Sequence, residues 1–234
     1  MPYPCIALLS VILFAVVHLF ASYTRGWDRI SHGRFLSFGG GVAIAYVFVD
    51  LLPKLAKSDL IVQQALSGIF PYFERHVYVM ALVGFLLFFV VGRCQAIVPK
   101  RTGFWLSLVS YALFNFLVGY AVVDKDDPEV QPLFLFTFAM ALHYFANDFS
   151  LNKAHGKEYS ETGKWVLIAS LFLGWLVGVW VILPATAVAL VSAFIAGGVI
   201  MNVTRHELPT ENPHSLGAFL LSSLFYTIIL LSIG

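Results

Sequence analysis

Residues 81–91 read Ala-Leu-Val-Gly-Phe-Leu-Leu-Phe-Phe-Val-Val, a stretch with no polar side chain at any position. A strand of a transmembrane barrel alternates apolar and polar residues, because one face meets lipid and the other meets the lumen. A run that is apolar on consecutive positions cannot alternate, and Leu216–Leu231, apolar in consecutive blocks around Ser222-Ser223 and Thr227, does not alternate either. Both stretches therefore read as membrane-spanning helices, and the fold class they predict is all-α.

The same reading extends outward from them. A helix needs about 20 mostly apolar residues to cross the roughly 30 Å hydrocarbon layer. Eight stretches qualify, near residues 4–22, 36–53, 77–92, 103–123, 133–151, 165–183, 185–203 and 215–233. They fill most of the 234 residues, so the chain reads as one polytopic membrane domain, 1–234, with no linker between halves. Composition agrees: 59% of residues are hydrophobic and 12% charged, with a mean hydropathy of +0.85. Soluble domains hold about 25% charged residues, so too little polar surface exists here for a water-soluble enzyme or a disordered chain. A net charge of +1 leaves no basic face for nucleic acid. The two cysteines, Cys5 and Cys94, make no zinc pattern. They fall near opposite ends of the bilayer, too far apart for a disulfide.

Orientation follows from the Lys and Arg of the short loops, which favour the cytoplasmic side. Odd-numbered loops carry Arg25, Arg29, Arg34, Arg93, Lys100, Arg101, Lys153, Lys157, Lys164 and Arg205, ten in all. Even-numbered loops carry four, Lys54, Lys57, Arg75 and Lys125. Both termini are expected on the non-cytoplasmic side of a plasma or bacterial inner membrane. Met-Pro-Tyr-Pro at the start has no positive charge and no cleavage site follows, so the first span reads as a retained helix. Asp124–Glu129 forms a short acidic outer loop, read as a solvated turn. Between Leu60 and Phe70 apolar residues recur at helical spacing over too short a length to span, which predicts an amphipathic helix on the outer surface.

The second span carries Gly40-Gly41-Val42 and closes with Asp50-Leu51-Leu52-Pro53; the seventh carries Gly197-Gly198-Val199 and closes with Glu207-Leu208-Pro209. The charge count runs the two in opposite directions, as an inverted repeat would. With three spans before and three after a central pair, the arrangement would be 3+2+3. Glycine pairs also let helices pack closely and proline also ends helices, so both readings stand.

Ionisable side chains in hydrocarbon are costly, about 2.5–3.5 kcal/mol on insertion scales, and here they are few. The fifth span holds most of them, in Leu142-His143-Tyr144-Phe145-Ala146-Asn147-Asp148. His143 and Asn147, four apart, stack on one helical face, and Asp148 is turned about 100° further round. Together with Asn115 of the fourth span they form either a cation site or a hydrogen-bonded network that joins helices. His18 reads as a satisfied packing residue, Asp50 as a half-exposed group near the outer boundary, and His206 with Glu207 as a wet helix terminus.

The order of these features resembles the ZRT/IRT-like (ZIP) family of divalent-metal transporters. The family has eight spans, outside termini, a 3+2+3 inverted repeat, and Gly-rich starts with Leu-Pro exits in its second and seventh spans. Its fourth-span motif, His-Asn-x-x-Asp-Gly, compares with Phe114-Asn115-Phe116-Leu117-Val118-Gly119, where Phe114 and Val118 replace the His and the acid. Its fifth-span motif, His-Glu-x-Pro-(His)-Glu, compares with His143 to Asp148, where Ala146 replaces the proline. The resemblance implies a depleted metal site of His143, Asn147, Asp148 and Asn115, holding at most one divalent ion (zinc, iron or manganese), with Asp50 along the path. It implies a non-enzymatic, non-transporting structural or accessory subunit, set in lipid beside other membrane subunits or a second copy. The alternative is a divergent divalent-cation transporter. His143-x-x-x-x-Asp148 also has the spacing of glycerolipid acyltransferases, a remote third reading.

The topology has a direct check: single cysteines placed at Asp126 and Lys157 are expected to react with a membrane-impermeant thiol reagent from opposite sides.

Overall fold

The structure is a computed structural model that describes residues 3–23, 29–66, 75–95, 97–123, 130–208 and 213–233; the acidic loop Asp124–Glu129 lies outside them. Among the described residues the chain is helical and contains no strand. The helices are α1 (Tyr3–Ala21), α2 (Arg29–Tyr46), α3 (Leu52–Leu66), α4 (His76–Cys94), α5 (Lys100–Ala121), α6 (Val130–Glu158), α7 (Lys164–Trp180), α8 (Ala185–His206) and α9 (Pro213–Ile233). Six helical runs among the described residues are long and apolar enough to cross a membrane, and Cys5–Ala21 adds a shorter apolar helix.

Two runs are longer than a single crossing requires. Residues 33–66 form one helical run of 34 residues, because α2 passes into α3 through a π-turn at Val47–Leu51. Pro53 explains the π-turn. Its ring clashes with the carbonyl one α-turn back and it offers no N–H, and widening the preceding turn, where the Leu52 N–H bonds to the Val47 carbonyl, absorbs the insult without breaking the helix. The expected separate surface helix at Leu60–Phe70 is thereby corrected. Residues 60–66 continue α3 and bury Val62 beside Leu55, in a cluster with Val77 of α4 and Ala189, Ala193 and Ala196 of α8. Residues 67–70 lie outside the described part. The second span reaches beyond its expected end at 53 for the same reason.

The second long run, Leu133–Trp180, covers 48 residues. At 1.5 Å per residue a straight helix of that length would extend about 72 Å, over twice the hydrocarbon thickness. The backbone breaks at His155, whose φ of −133° and ψ of 30° leave the helical range, and a second π-turn at Tyr159–Gly163 leads into α7. What the sequence presents as a loop with Lys153, Lys157 and Lys164 is helical turns folded around one kink.

Many large apolar side chains face outward, while serines lie inward beside a core that includes Phe14, Phe114 and Leu167. Leu220, Leu221, Leu224, Phe225 and Leu231 of α9 are exposed, whereas Ser37, Ser107, Ser110, Ser215 and Ser222 are buried. Lipid is as apolar as leucine, so helices in a bilayer associate through close packing of small residues and through hydrogen bonds. The most extensive contacts pair α5 with α7, α2 with α9, and α4 with α8. Glycine makes each pair possible: a Cβ on Gly119 would overlap the Leu171 carbonyl and one on Gly174 the Phe116 carbonyl, closing α5 on α7 from both sides. Gly84 and Gly197 do the same between α4 and α8, against the carbonyls of Phe194 and Ala81, and Gly41 meets the Phe219 carbonyl and Ser222 of α9. With α1 packed on α6 and α7, and α3 on α8 and α4, the helices sort into two bundles: α1, α5, α6 and α7 in one, and α2, α3, α4, α8 and α9 in the other. They meet chiefly where α6 lies along α2.

Gly174→Val is expected to lower the stability of the detergent-purified protein by about 1–3 kcal/mol or prevent folding, since the methyls have no room to enter. Gly217, with nothing within 4 Å of an added Cβ, is the control: Gly217→Ala should be neutral or stabilising, and thermal unfolding followed by circular dichroism reads both.

Candidate functional site

The central polar stretch of α6 lies at positions 143, 144, 147 and 148, with Thr137 and Asn152 buried on either side of it. Of the four, His143, Tyr144 and Asp148 are at most 2% exposed. A helix advances about 100° per residue, so 143 and 147 share a face while 148 turns toward a different neighbour. That offset decides the geometry, because it sends the side chains of His143 and Asp148 into separate clusters.

The first cluster joins α1, α5 and α6. Asp148 bonds to Nδ1 of His18, a fully buried residue of α1. On its other side His18 places Nε2 2.8 Å from Oδ1 of Asn115. The amide nitrogen of Asn115 donates to the Tyr111 carbonyl at 2.8 Å, which fixes the amide orientation. Its oxygen must then accept, so Nε2 of His18 carries a hydrogen. Nδ1 of His18 meets Asp148, so both ring nitrogens are engaged by protein partners. Tyr159 donates its hydroxyl to the His18 carbonyl at 2.9 Å, and the Tyr144 ring packs 5.0 Å from the His18 ring. His18 is thus satisfied, as the sequence suggests, but it is the hub of a network and not a side chain merely filling space.

The second cluster joins α6 to the end of α8. Nδ1 of His143 lies 2.8 Å from Oε1 of Glu207, and Nε2 lies 3.0 Å from the amide nitrogen of Asn147 one turn along. With the amide nitrogen as donor, Nε2 accepts and Nδ1 donates to the carboxylate. Oε2 of Glu207 and Oδ1 of Asn147 are buried without a protein partner. On its outer side Glu207 abuts α2, where a Cβ on Gly40 would lie 2.7 Å from the Glu207 Cβ. His206 turns away to Ser150, 3.1 Å from its hydroxyl.

The expected quartet of His143, Asn147, Asp148 and Asn115 therefore divides in two. His143 and Asn147 go with Glu207, and Asn115 and Asp148 go with His18. The expectation of a wet helix terminus at Glu207 is overturned, since its side chain is 0% exposed. The acidic residue at that apolar span's end gave no sign that α2 and α6 would close over it. Asp50 sits apart in the first π-turn, paired with Lys54 at 3.1 Å and partly exposed. Phe114, where the family motif has histidine, is fully buried with its ring 5.9 Å from that of His143 and 6.1 Å from that of Tyr144. Among the described residues no group of three or more His, Cys, Asp and Glu side chains is placed to hold a metal ion.

No protein-family model matches the chain, and no curated protein matches it. It is a helical, multi-pass protein of membrane type.

Removing one member of a buried pair strands the other, which costs about 3–5 kcal/mol. His18→Ala should accordingly destabilise the protein far more than the double replacement His18→Leu with Asp148→Leu. A double-mutant cycle on thermal unfolding, with His18→Leu and Asp148→Leu as the single variants, checks it; a double loss equal to the sum of the two single losses would show that the groups are not coupled.

Proposed function

We propose that this chain is a ZIP-like membrane protein, with eight spans in a 3+2+3 inverted repeat, that serves as a non-transporting structural or accessory subunit of a membrane complex. The observation that carries the reading is the state of the imidazoles: all four ring nitrogens of His18 and His143 already have protein partners. A metal binds a ring nitrogen through its lone pair. Nε2 of His18 is a donor, Nδ1 of His18 faces a carboxylate, and both nitrogens of His143 are engaged. The Phe114 ring occupies the flank of His143 where the family places a further ligand. A tight zinc site uses three or four protein ligands, and this donor set does not fit a resident metal ion.

Helix pairing supports the architecture. If the spans are α1, α2–α3, α4, α5, α6, α7, α8 and α9, an inverted repeat exchanges the first with the sixth, second with seventh, third with eighth, and fourth with fifth. That exchange turns the α2–α9 contact into α8–α4, and α5–α7 into α6–α1, all of which occur. Gly41 and Gly197, both from the matching Gly-Gly pairs of α2 and α8, sit at two contacts so exchanged. The 48-residue run with its kink at His155 has length enough for two crossings. Both termini lie on the non-cytoplasmic side in this reading, and the partners are lipid and other membrane subunits or a second copy.

One observation favours the alternative, a divergent divalent-cation transporter: the unpartnered oxygens of Asn147 and Glu207. Metal analysis separates the two. Purified protein is expected to hold well under one equivalent of zinc or manganese, with no change in His143→Ala, and to give no metal uptake in proteoliposomes. A stoichiometric metal that disappears in His143→Ala would overturn the proposal, as would recovery from native membranes with no partner.

A further inference from the structure

The hydrogen bonds sort by the bundles they join. Inside the first bundle run His18 to Asp148 and to Asn115, Ser10 to Thr137 at 2.8 Å, and the Asn152 amide to the Ala21 carbonyl at 3.0 Å. Inside the second, Arg205 donates to the Gly92 carbonyl at 2.9 Å. Ties that cross between the bundles include Tyr226 to the Leu135 carbonyl at 2.6 Å, Ser150 to His206 at 3.1 Å and His143 to Glu207 at 2.8 Å. Of these crossing ties, His143–Glu207 joins two ionisable side chains, each 0% exposed.

Elsewhere along the seam α2 and α6 meet through apolar contacts, Phe35 with Phe145 at 4.9 Å and Tyr46 with Phe136 at 5.7 Å between ring centres, which are non-directional and tolerate small shifts. Between those ring pairs, where the His143–Glu207 contact lies, α2 presents Gly39 and Gly40, which carry no side chain to interlock with α6 or α8. A Cβ on Gly39 would stand 3.4 Å from the Leu142 Cβ and 3.7 Å from Oε2 of Glu207. The glycine stretch lets the helices come close but does not by itself choose one sliding position over the next. A buried polar pair does choose, because any shift strands both groups away from water, and fixing register is the best attested role of such pairs.

We propose that His143 and Glu207 form a latch between the two bundles, which holds them in one register while the pair is made and frees one to shift against the other when it is lost. The inference rests on contacts across the seam and not on the subunit role proposed above. It holds whether or not the protein carries an ion.

The test uses the full-length protein in nanodiscs, with Cys5→Ala and Cys94→Ala to remove the native thiols. Gly39→Cys with Leu142→Cys reports the seam between bundles, and Ser10→Cys with Thr137→Cys reports α1 against α6 within one bundle. Oxidative cross-linking of each pair is timed with Glu207 intact, in Glu207→Ala, and in the shape-preserving Glu207→Gln. The expected result is a fall of about tenfold in the 39–142 rate, the scale of a lost coupled interaction, with the 10–137 rate unchanged. A selective fall in either variant upholds the latch. Unchanged 39–142 rates in both variants, or a parallel fall of both cysteine pairs in both, overturn it. Metal uptake and metal content are not read, so failure here is distinct from failure of the proposed function.

Discussion

A carboxylate buried between helices cannot borrow hydrogen bonds from water, and that constraint organises this protein. Stranding a charge there costs several kcal/mol. Asp148 and Glu207, 2% and 0% exposed, each meet it with one imidazole. Each imidazole in turn keeps its second nitrogen on an amide, Asn115 for one and Asn147 for the other. A similar device appears twice, on different sides of α6, with the amide accepting in one and donating in the other. Because α6 supplies an ionisable member to both pairs, it cannot rotate or slide without breaking one. The remaining helices are placed relative to it.

Close packing makes such short bonds reachable. Lipid gives no hydrophobic push between helices, so backbones must approach until polar side chains meet. The glycines of α5 with α7, α4 with α8, and α2 with α9 allow that approach. The helical runs are interrupted by the kink at His155 and by the π-turns at 47–51 and 159–163, where the Leu52 and Lys164 N–H groups still bond back to the Val47 and Tyr159 carbonyls. Tyr159, at the head of the second π-turn, carries the consequence directly into the site by bonding the His18 carbonyl.

Much of this is legible in the residues, and the rest is hidden for definite reasons. Unbroken apolar runs such as 81–91 declare membrane helices because no other local pattern accommodates them. The 143/147 spacing declares a shared face because helical geometry is local. The 100° offset of Asp148 is equally local, yet its consequence is not: it directs the carboxylate to His18, 130 positions away. No local pattern encodes such a partner, so placing Asp148 with His143 groups neighbours in sequence that the fold sends to different helices. Glu207 is missed for the opposite reason. An acid just past an apolar span ordinarily meets water, and only the absence of side chains on Gly39 and Gly40 lets α2 cover it. The extension of α3 past Pro53 is hidden because proline normally ends a helix, and the widened turn that rescues it leaves no mark in composition.

The two pairs are alike in chemistry and unlike in placement, and the difference follows from the amides. Asn115 is anchored by the Tyr111 carbonyl, so the His18 cluster has its hydrogens fixed and ties together three helices of one bundle. Asn147 has no such anchor. Its oxygen and that of Glu207 face no donor, so the His143 cluster is less completely bonded although it is as deeply buried. A half-satisfied network is the weaker of two otherwise equal networks. The weaker one lies on the seam between bundles and the stronger one inside a bundle, which is the order a structure needs if its parts are to stay intact when the seam moves.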